Sequence, residues 1–182
     1  PDAFSGHLFP ERTEHSLLYQ GLGGGKFKNV TAETGLTDGS WSGDCTFADI
    51  NDDGFMDLYI VNMQGDDHFY ENQSGKRFLD RTAFYFPKTP WGAMGTKFFD
   101  VNQDGQLDLY LTDMHSDMTQ GQTMQALRFQ PKVEKAKSEA FCSVQWTDEY
   151  LQNPFNNIFG NALYLRNANG GFNEMSNTYQ AE

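Results

Sequence analysis

The sequence predicts an all-β protein that is built from repeated four-stranded units. Two kinds of segment recur along its 182 residues, and both recur with a period of 51 residues. The segments between them are short, rich in aromatic and β-branched residues, and bounded by Gly, Asn or Asp, which is typical of strands joined by tight turns. Four-stranded units that repeat every 40–50 residues or so indicate a β-propeller.

The first recurring segment is an acidic motif. Residues 49–59 and 100–110 share the pattern Asp-x-Asn-x-Asp-Gly-x-x-Asp-Leu-Tyr, and Phe47 and Phe98 precede the two copies, also 51 positions apart. Residues 45–48, 58–61 and 109–112 have the composition of strands. The acidic motif is therefore predicted to join the first and second strands of a unit.

The second recurring segment is a hairpin in which a Tyr and a Phe, eight positions apart, flank a turn that contains Gly. Its three copies are Tyr19 to Phe27, Tyr70 to Phe78 and Tyr164 to Phe172. The first two copies lie 51 positions apart and the last two 94 apart, so about 43 additional residues are inserted into the last unit. A β-sandwich with two similar hairpins is the alternative, and a shared period in two kinds of motif speaks against it.

The units can be counted from these positions. The chain is predicted to hold one outer hairpin at 17–36, a complete blade at 43–82 and a second complete blade at 95–175, with an insertion at 113–160. These amount to about two and a half blades, whereas propellers have roughly 4–8 blades. We therefore expect a segment of a larger propeller, completed by further blades from the same gene or from a partner chain.

Charge and composition exclude several classes of function. The formal net charge of −12 argues against binding to nucleic acid and to anionic membrane surfaces, both of which attract Lys and Arg. No stretch approaches the roughly 18 apolar residues of a membrane-spanning helix. Two cysteines, Cys45 and Cys142, exclude a disulfide scaffold and a cysteine-based zinc site. They leave open one bridge or two free buried thiols, the latter being favoured slightly.

Each acidic motif places oxygen-bearing side chains at positions 1, 3, 5 and 9 of a loop, with Gly at position 6. These predicted metal ligands are Asp49, Asn51, Asp53 and Asp57 in the first loop, and Asp100, Asn102, Asp104 and Asp108 in the second. The Gly allows a sharp bend, which lets the backbone carbonyls of Phe55 and Gln106 join them. Oxygen ligands without His or Cys indicate Ca²⁺, with Mg²⁺ a weaker candidate, and the sequence predicts two sites.

An EF-hand would carry a bidentate Glu at position 12 of the loop and a helix after it. Position 12 is Ile60 in the first motif and Leu111 in the second, and both are followed by strand-like residues. An acidic β-turn without metal is the other alternative, since Asp, Asn and Gly are common turn residues. Two complete copies at the repeat period favour a metal site over a simple turn.

The residues 47–59 resemble the FG-GAP/VCBS repeat of integrin-α-type propellers. The hairpins around 17–31 and 69–82 resemble the connecting segments of the ASPIC/UnbV and cartilage-acidic-protein-like branch. The resemblance covers about 17–112 and 161–176. It implies calcium loops on one face of a propeller, a partner-binding surface on the opposite face, and an extracellular, periplasmic or cell-surface location.

The insertion at 113–160 does not share this resemblance. It holds six aromatic residues, and residues 133–140 have the composition of a short helix, so a partly helical lobe is predicted. The lobe either recognises a binding partner or is a packed addition to the blade without a binding role. His115 lies between Met114 and Met118, which would suit copper, but a polar start of the loop is the more economical interpretation.

Two functions follow from the sequence. The first is a non-catalytic, Ca²⁺-binding extracellular module that mediates protein–protein or glycan interaction, or assembly. The alternative is a propeller-based enzyme, a carbohydrate lyase or an oxidoreductase, with its site near the inserted lobe. No catalytic residue can be identified from the sequence, which favours the binding module.

Overall fold

A computed structural model of the chain describes residues 15–39, 41–63, 66–86, 88–90, 92–113, 161–179 and 181. The insertion predicted at 113–160 lies outside the described residues apart from Asp113. The predictions for the helix at 133–140, for His115 and for Cys142 therefore concern residues that the structure does not describe.

The described residues form ten strands and three one-turn helices. In chain order they are β1 (Tyr19–Gly23), β2 (Lys26–Asn29), α1 (Thr31–Thr34), β3 (Ser42–Ala48), β4 (Asp57–Asn62), β5 (His68–Asn72), β6 (Phe78–Asp80), α2 (Thr82–Tyr85), β7 (Ala93–Phe99), β8 (Asp108–Asp113), β9 (Ala162–Arg166), β10 (Phe172–Glu174) and α3 (Ser176–Tyr179). Within this part of the chain, no helix is long and apolar enough to cross a membrane.

The strands form one hairpin and two four-stranded sheets. Strands β1 and β2 pair with each other, β3 to β6 form the first sheet in chain order, and β7 to β10 form the second. Every pair is antiparallel, and the first two strands of both sheets carry a register shift at the same place, Ser42/Asp44 and Ala93/Gly95. The predicted class, all-β with antiparallel four-stranded sheets, is confirmed.

The turn between β1 and β2 is made by three consecutive glycines. Gly23, Gly24 and Gly25 have φ angles of 79°, 59° and 73°, a region that side chains with a Cβ rarely adopt. The glycine run is thus explained by hairpin geometry, as the sequence predicts.

The one-turn helices were not expected from the sequence, and each follows the outer hairpin of its unit. A hydroxyl at the first helical position accepts the backbone N–H of the residue before the hairpin Tyr. The pairs are Leu18 to Thr31, Phe69 to Thr82 and Leu163 to Ser176, each with an N···O distance of 2.8 Å. A side-chain oxygen two residues earlier, from Asn29, Asp80 or Glu174, accepts the N–H of that first helical residue.

The main core lies between the two sheets. Phe86, which follows α2, is 1% exposed and stacks on Phe172 of the second sheet with ring centroids 4.5 Å apart. Its edge contacts Tyr59 at 5.0 Å and Tyr164 at 5.3 Å. Phe86 thereby packs the outer hairpin of the second sheet against the first sheet. Leu36, the second residue after α1, packs in a smaller cluster with Ile60 and Tyr70.

The inner strands β3 and β7 approach each other closely. A Cβ on Gly43 would lie 3.3 Å from the carbonyl oxygen of Ala93, so glycine permits this contact. Asp44 on β3 also accepts the backbone N–H of Thr96 on β7. The two sheets therefore meet both at their inner strands and through the aromatic core.

The opposite face of the first sheet is covered only in part: Leu36 and Leu18 pack against Ile60 and Tyr70, but large side chains of β3 and of the hairpin β1–β2 are exposed in the described residues. Phe47 is 65% exposed, whereas Phe98, its counterpart in the second sheet, is 8% exposed. Phe27 is 69% exposed, and its counterpart Phe172 is 5% exposed. We refer to Tyr19, Phe27, Cys45 and Phe47 as the open face.

Cys45 is a free thiol on this open face and is exposed, so the prediction of a buried thiol is wrong for this residue. The reason lies in the packing. The inner strand of the second sheet is covered by the first sheet, but no described residue covers β3 on the side of Cys45 and Phe47.

Candidate metal centre

The two acidic loops have the same backbone shape. Positions 4 and 6 of each loop adopt a positive φ, with 58° at Asp52 and 63° at Gln103, and 86° at both Gly54 and Gly105. Asp tolerates this left-handed region better than most residues, whereas Gln103 adopts it at a cost. That both loops share the strained conformation shows that the motif, and not one local sequence, determines it.

Position 1 holds the turn of each loop together. Asp49 Oδ1 accepts the N–H of Asp53 at 3.0 Å, and Oδ2 accepts the N–H of Gly54 at 2.7 Å. Asp100 accepts the equivalent N–H groups in the second loop at 3.1 and 2.9 Å. Two charge-assisted hydrogen bonds per carboxylate stabilise the bend that the glycine allows.

Positions 3 and 5 are joined by their side chains. Asn51 Nδ2 donates to Asp53 Oδ2 at 3.1 Å, and Asn51 Oδ1 accepts the N–H of Asp53 at 3.2 Å. Asn102 makes the same contacts with Asp104, at 2.9 and 3.0 Å. These four side chains are exposed to solvent and lie on the outer part of the loop.

Position 7, which is Phe55 in the first loop and Gln106 in the second, contacts the position-5 carboxylate. The N–H of Phe55 donates to Asp53 Oδ1 at 2.9 Å, and the N–H of Gln106 donates to Asp104 Oδ1 at 2.8 Å. The backbone N–H groups of residues 55 and 106 are thus bound to the position-5 carboxylates, and the contribution of their carbonyls to a metal site stays a prediction.

Position 9 differs from the others because it is buried. Asp57 is 1% and Asp108 is 0% exposed. Burial raises the pKa of Asp57, an effect that the backbone N–H groups of Asn72 and Ile50 oppose. Position 9 thus lies inside the sheet, whereas positions 1, 3 and 5 lie in the loop.

The donor set can be compared with what a cation needs. Each loop offers only oxygen donors, which in kind suit a hard divalent cation such as Ca²⁺. Within the part of the chain that the structure describes, no three acidic, histidine or cysteine side chains already form a cluster that could hold a metal ion. The loop carboxylates instead accept hydrogen bonds from the loop backbone.

At the opposite end of the first sheet lies a second polar site, which the sequence did not indicate. A cavity of about 300 Å³ is lined by Asp66, Asp67, His68, Asp80, Lys88 and neighbouring residues. His68 Nδ1 lies 3.0 Å from Asp80 Oδ2. Burial would raise the pKa of Asp80, but hydrogen bonds from His68 and Thr82 outweigh it and lower the pKa to about 2.

Asp67 forms the buried wall of this cavity. It accepts hydrogen bonds from the hydroxyl of Tyr59 at 2.9 Å and from the N–H of Asn62 at 2.8 Å. Burial raises the pKa of Asp67 well above its ordinary value, and the nearby carboxylates of Asp113 and Asp66 add to the effect. The sequence holds no signal for this arrangement, because Asp67 lies between the recurring motifs.

Comparison with known proteins gives one match. The FG-GAP-like repeat family matches the chain over residues 1–60 and again over residues 49–111, which together span more than half of the chain. A search of curated proteins finds no match. The second matched segment begins at the first acidic loop and ends in the strand after the second, so both loops fall within the repeat. The chain belongs to the FG-GAP-like repeat family.

Proposed function

We propose that the protein is a non-catalytic, Ca²⁺-binding extracellular repeat module that takes part in protein–protein or glycan interaction, or in assembly. FG-GAP repeats are found in extracellular adhesion-type proteins. The observation that carries the proposal is the presence of two acidic loops with the same shape, the same hydrogen bonds and the same place in two sheets.

Calcium would be held by the side chains at positions 1, 3, 5 and 9 and by the carbonyl at position 7. The proposed ligands are Asp49, Asn51, Asp53, Phe55 and Asp57, and Asp100, Asn102, Asp104, Gln106 and Asp108. Three carboxylates in one loop repel one another, so a divalent cation would be favoured on electrostatic grounds as well as by donor type. When bound, the ion would offset two of the three negative charges of the ligand carboxylates and tighten the bend of the loop.

The proposed architecture is a β-propeller of which the two sheets are blades and the hairpin β1–β2 is the outer half of another. Three features support it: the strands of each sheet follow chain order, the inner strands β3 and β7 are adjacent, and aromatic residues recur between the sheets. The proposed partners are further blades, from the same gene or another chain, and a protein or glycan ligand.

Calorimetry of the chelator-treated protein tests the calcium proposal. We expect uptake of two calcium ions, and a melting temperature that rises with free Ca²⁺ because the ion binds the folded state. Asp53→Asn and Asp104→Asn should each abolish one site. The control is Asp52→Asn, which changes an acidic residue of the same loop that is not a proposed ligand. Absence of uptake, or a preference for Zn²⁺, would refute the proposal.

A further inference from the structure

We propose that Asp57 and Asp108 have a task that requires no metal: each fastens the third strand of its sheet to the acidic loop. This inference deepens the proposed function, because it gives the position-9 carboxylates a structural task in addition to their proposed share in calcium binding. It remains valid if the loops bind no calcium.

In the first sheet the two oxygens of Asp57 join two separate segments. Oδ2 accepts the backbone N–H of Ile50, in the loop, at 3.0 Å. Oδ1 accepts the backbone N–H of Asn72, at the end of β5, at 2.8 Å. Asp57 itself begins β4, so this one side chain links the loop with the second and third strands.

The second sheet repeats the arrangement. Asp108 Oδ2 accepts the N–H of Val101 at 3.1 Å, and Oδ1 accepts the N–H of Arg166 at 2.8 Å. The donors have different side chains in the two sheets, since Asn72 corresponds to Arg166. Only their backbone N–H groups are used, so the link belongs to the fold and not to a particular neighbour.

The chemistry of the link requires a carboxylate. Two N–H donors meet the same buried side chain, and an ionised carboxylate offers an acceptor oxygen to each. An Asn in its place would offer one oxygen and one N–H₂ group, which would leave a buried backbone donor without an acceptor. The outer residues are different, because the hydrogen bonds that their side chains accept come from within the loop.

The first sheet has an additional tie. The side chain of Asn72 donates from Nδ2 to the carbonyl oxygen of Met56 at 2.9 Å and accepts at Oδ1 from the N–H of Gly75 at 2.8 Å. The second sheet holds its turn through the residue after Arg166: Asn167 Oδ1 accepts the N–H groups of Asn169 at 3.0 Å and of Gly171 at 3.2 Å.

Hydrogen exchange of the full chain in excess EDTA tests the link directly. The amides of Asn72 and Arg166 should be protected in the metal-free protein, since their N–H groups are held by buried carboxylates. Rapid exchange of both amides in EDTA, while the neighbouring strand amides stay protected, would overturn the inference.

Matched substitutions separate the link from calcium binding. In EDTA, Asp57→Asn and Asp108→Asn should each lower the melting temperature by at least about 2 °C, whereas Asp53→Asn and Asp104→Asn should not. Asp57→Asn should expose the amide of either Ile50 or Asn72 to exchange, since Asn retains one acceptor oxygen, and leave those of Val101 and Arg166 protected. Equal melting temperatures for all four variants in EDTA would show that position 9 serves only the cation.

Discussion

Asp67 illustrates how one residue can depart from a repeated design. Ser16, Asp67 and Asn161 each lie three residues before the Tyr of an outer hairpin. Asp67 Oδ1 accepts the N–H of Asn62, just as Asn161 Oδ1 accepts the N–H of Asp113 at 2.9 Å. The fold thus needs an acceptor at this position but not a negative charge, and Asp67 has no ion-pair partner in the described residues.

We therefore expect Asp67→Asn to stabilise the protein at neutral and alkaline pH. The folded-state pKa of Asp67 is raised above the unfolded value, so its contribution to stability is fully present below about pH 4 and is lost as the pH rises through the folded-state pKa. The variant should exceed the wild type in free energy of unfolding by on the order of 1–3 kcal/mol at pH 8, with a difference that shrinks towards pH 4.

Urea unfolding between pH 4 and pH 8, at constant free calcium, provides the measurement. Asp66→Asn is the control: Asp66 is the exposed neighbour, so its removal should relieve only the part of the Asp67 pKa shift that its charge adds and should change stability less than Asp67→Asn. A difference between Asp67→Asn and wild type that does not vary with pH would contradict the burial of a titrating carboxyl at this site.

The turns of the acidic loops could be predicted at the residue scale because the pattern is dense and occurs twice. Asp49 and Asp100 hold the bend that was expected at the glycine, whereas metal binding by the loop residues stays a prediction. The burial of Asp57 and Asp108 could not be predicted, since it depends on an N–H from the third strand, 15 residues away in one sheet and 58 in the other. The cavity beside His68 could not be predicted either, because its lining residues come from two separate segments of the chain.

At the scale of elements, a hydroxyl couples each outer hairpin to the helix that follows it. Thr82 Oγ1 accepts the N–H of Phe69 at 2.8 Å and donates to Asp80 Oδ1 at 2.6 Å. Strands are recognisable from alternation and composition, but a helix of four residues is too short to show a hydrophobic period. The signal that was available is an Asn, Asp or Glu two positions before a Thr or Ser, which recurs in all three units.

Thr82→Val should destabilise the first sheet by about 1–3 kcal/mol, because it keeps the shape of the side chain but leaves the N–H of Phe69 without an acceptor. Thr82→Ser retains the hydroxyl and should lie close to wild type. Ser176 shows that serine serves at this position. Chemical denaturation of the three proteins makes the comparison, and equal stability of the Val and Ser variants would count against a structural role for the hydroxyl.

At the scale of the whole molecule, the repeat explains which surfaces are covered. Residues at the same position in successive units differ in exposure only because their neighbours differ. Tyr164 is 1% exposed beneath Phe86, whereas Tyr19 of the first hairpin is 52% exposed. The sequence predicts the number and kind of units from their period, but not how far the neighbours of a unit cover its surface.

The open face leads to the last prediction. Large aromatic side chains that are exposed, here Tyr19, Phe27 and Phe47, mark an interface or a tendency to aggregate. Their counterparts are buried by an adjacent sheet, so we expect the isolated 182-residue chain to cover this face by self-association. Light scattering should give a mass above the 20.6 kDa of one chain.

Phe47→Ser should shift the light-scattering mass towards that of a monomer, because it removes exposed apolar area from the open face. Phe84→Ser is the matched control: Phe84 is 61% exposed, similar to Phe47, but lies on α2 and outside the open face. A soluble wild-type monomer with a cooperative melt would contradict the prediction and the propeller proposal with it. A monomer produced equally by both substitutions would show that association depends on exposed aromatic area in general. A response to Phe47→Ser alone would identify the open face as the surface that another repeat sheet covers.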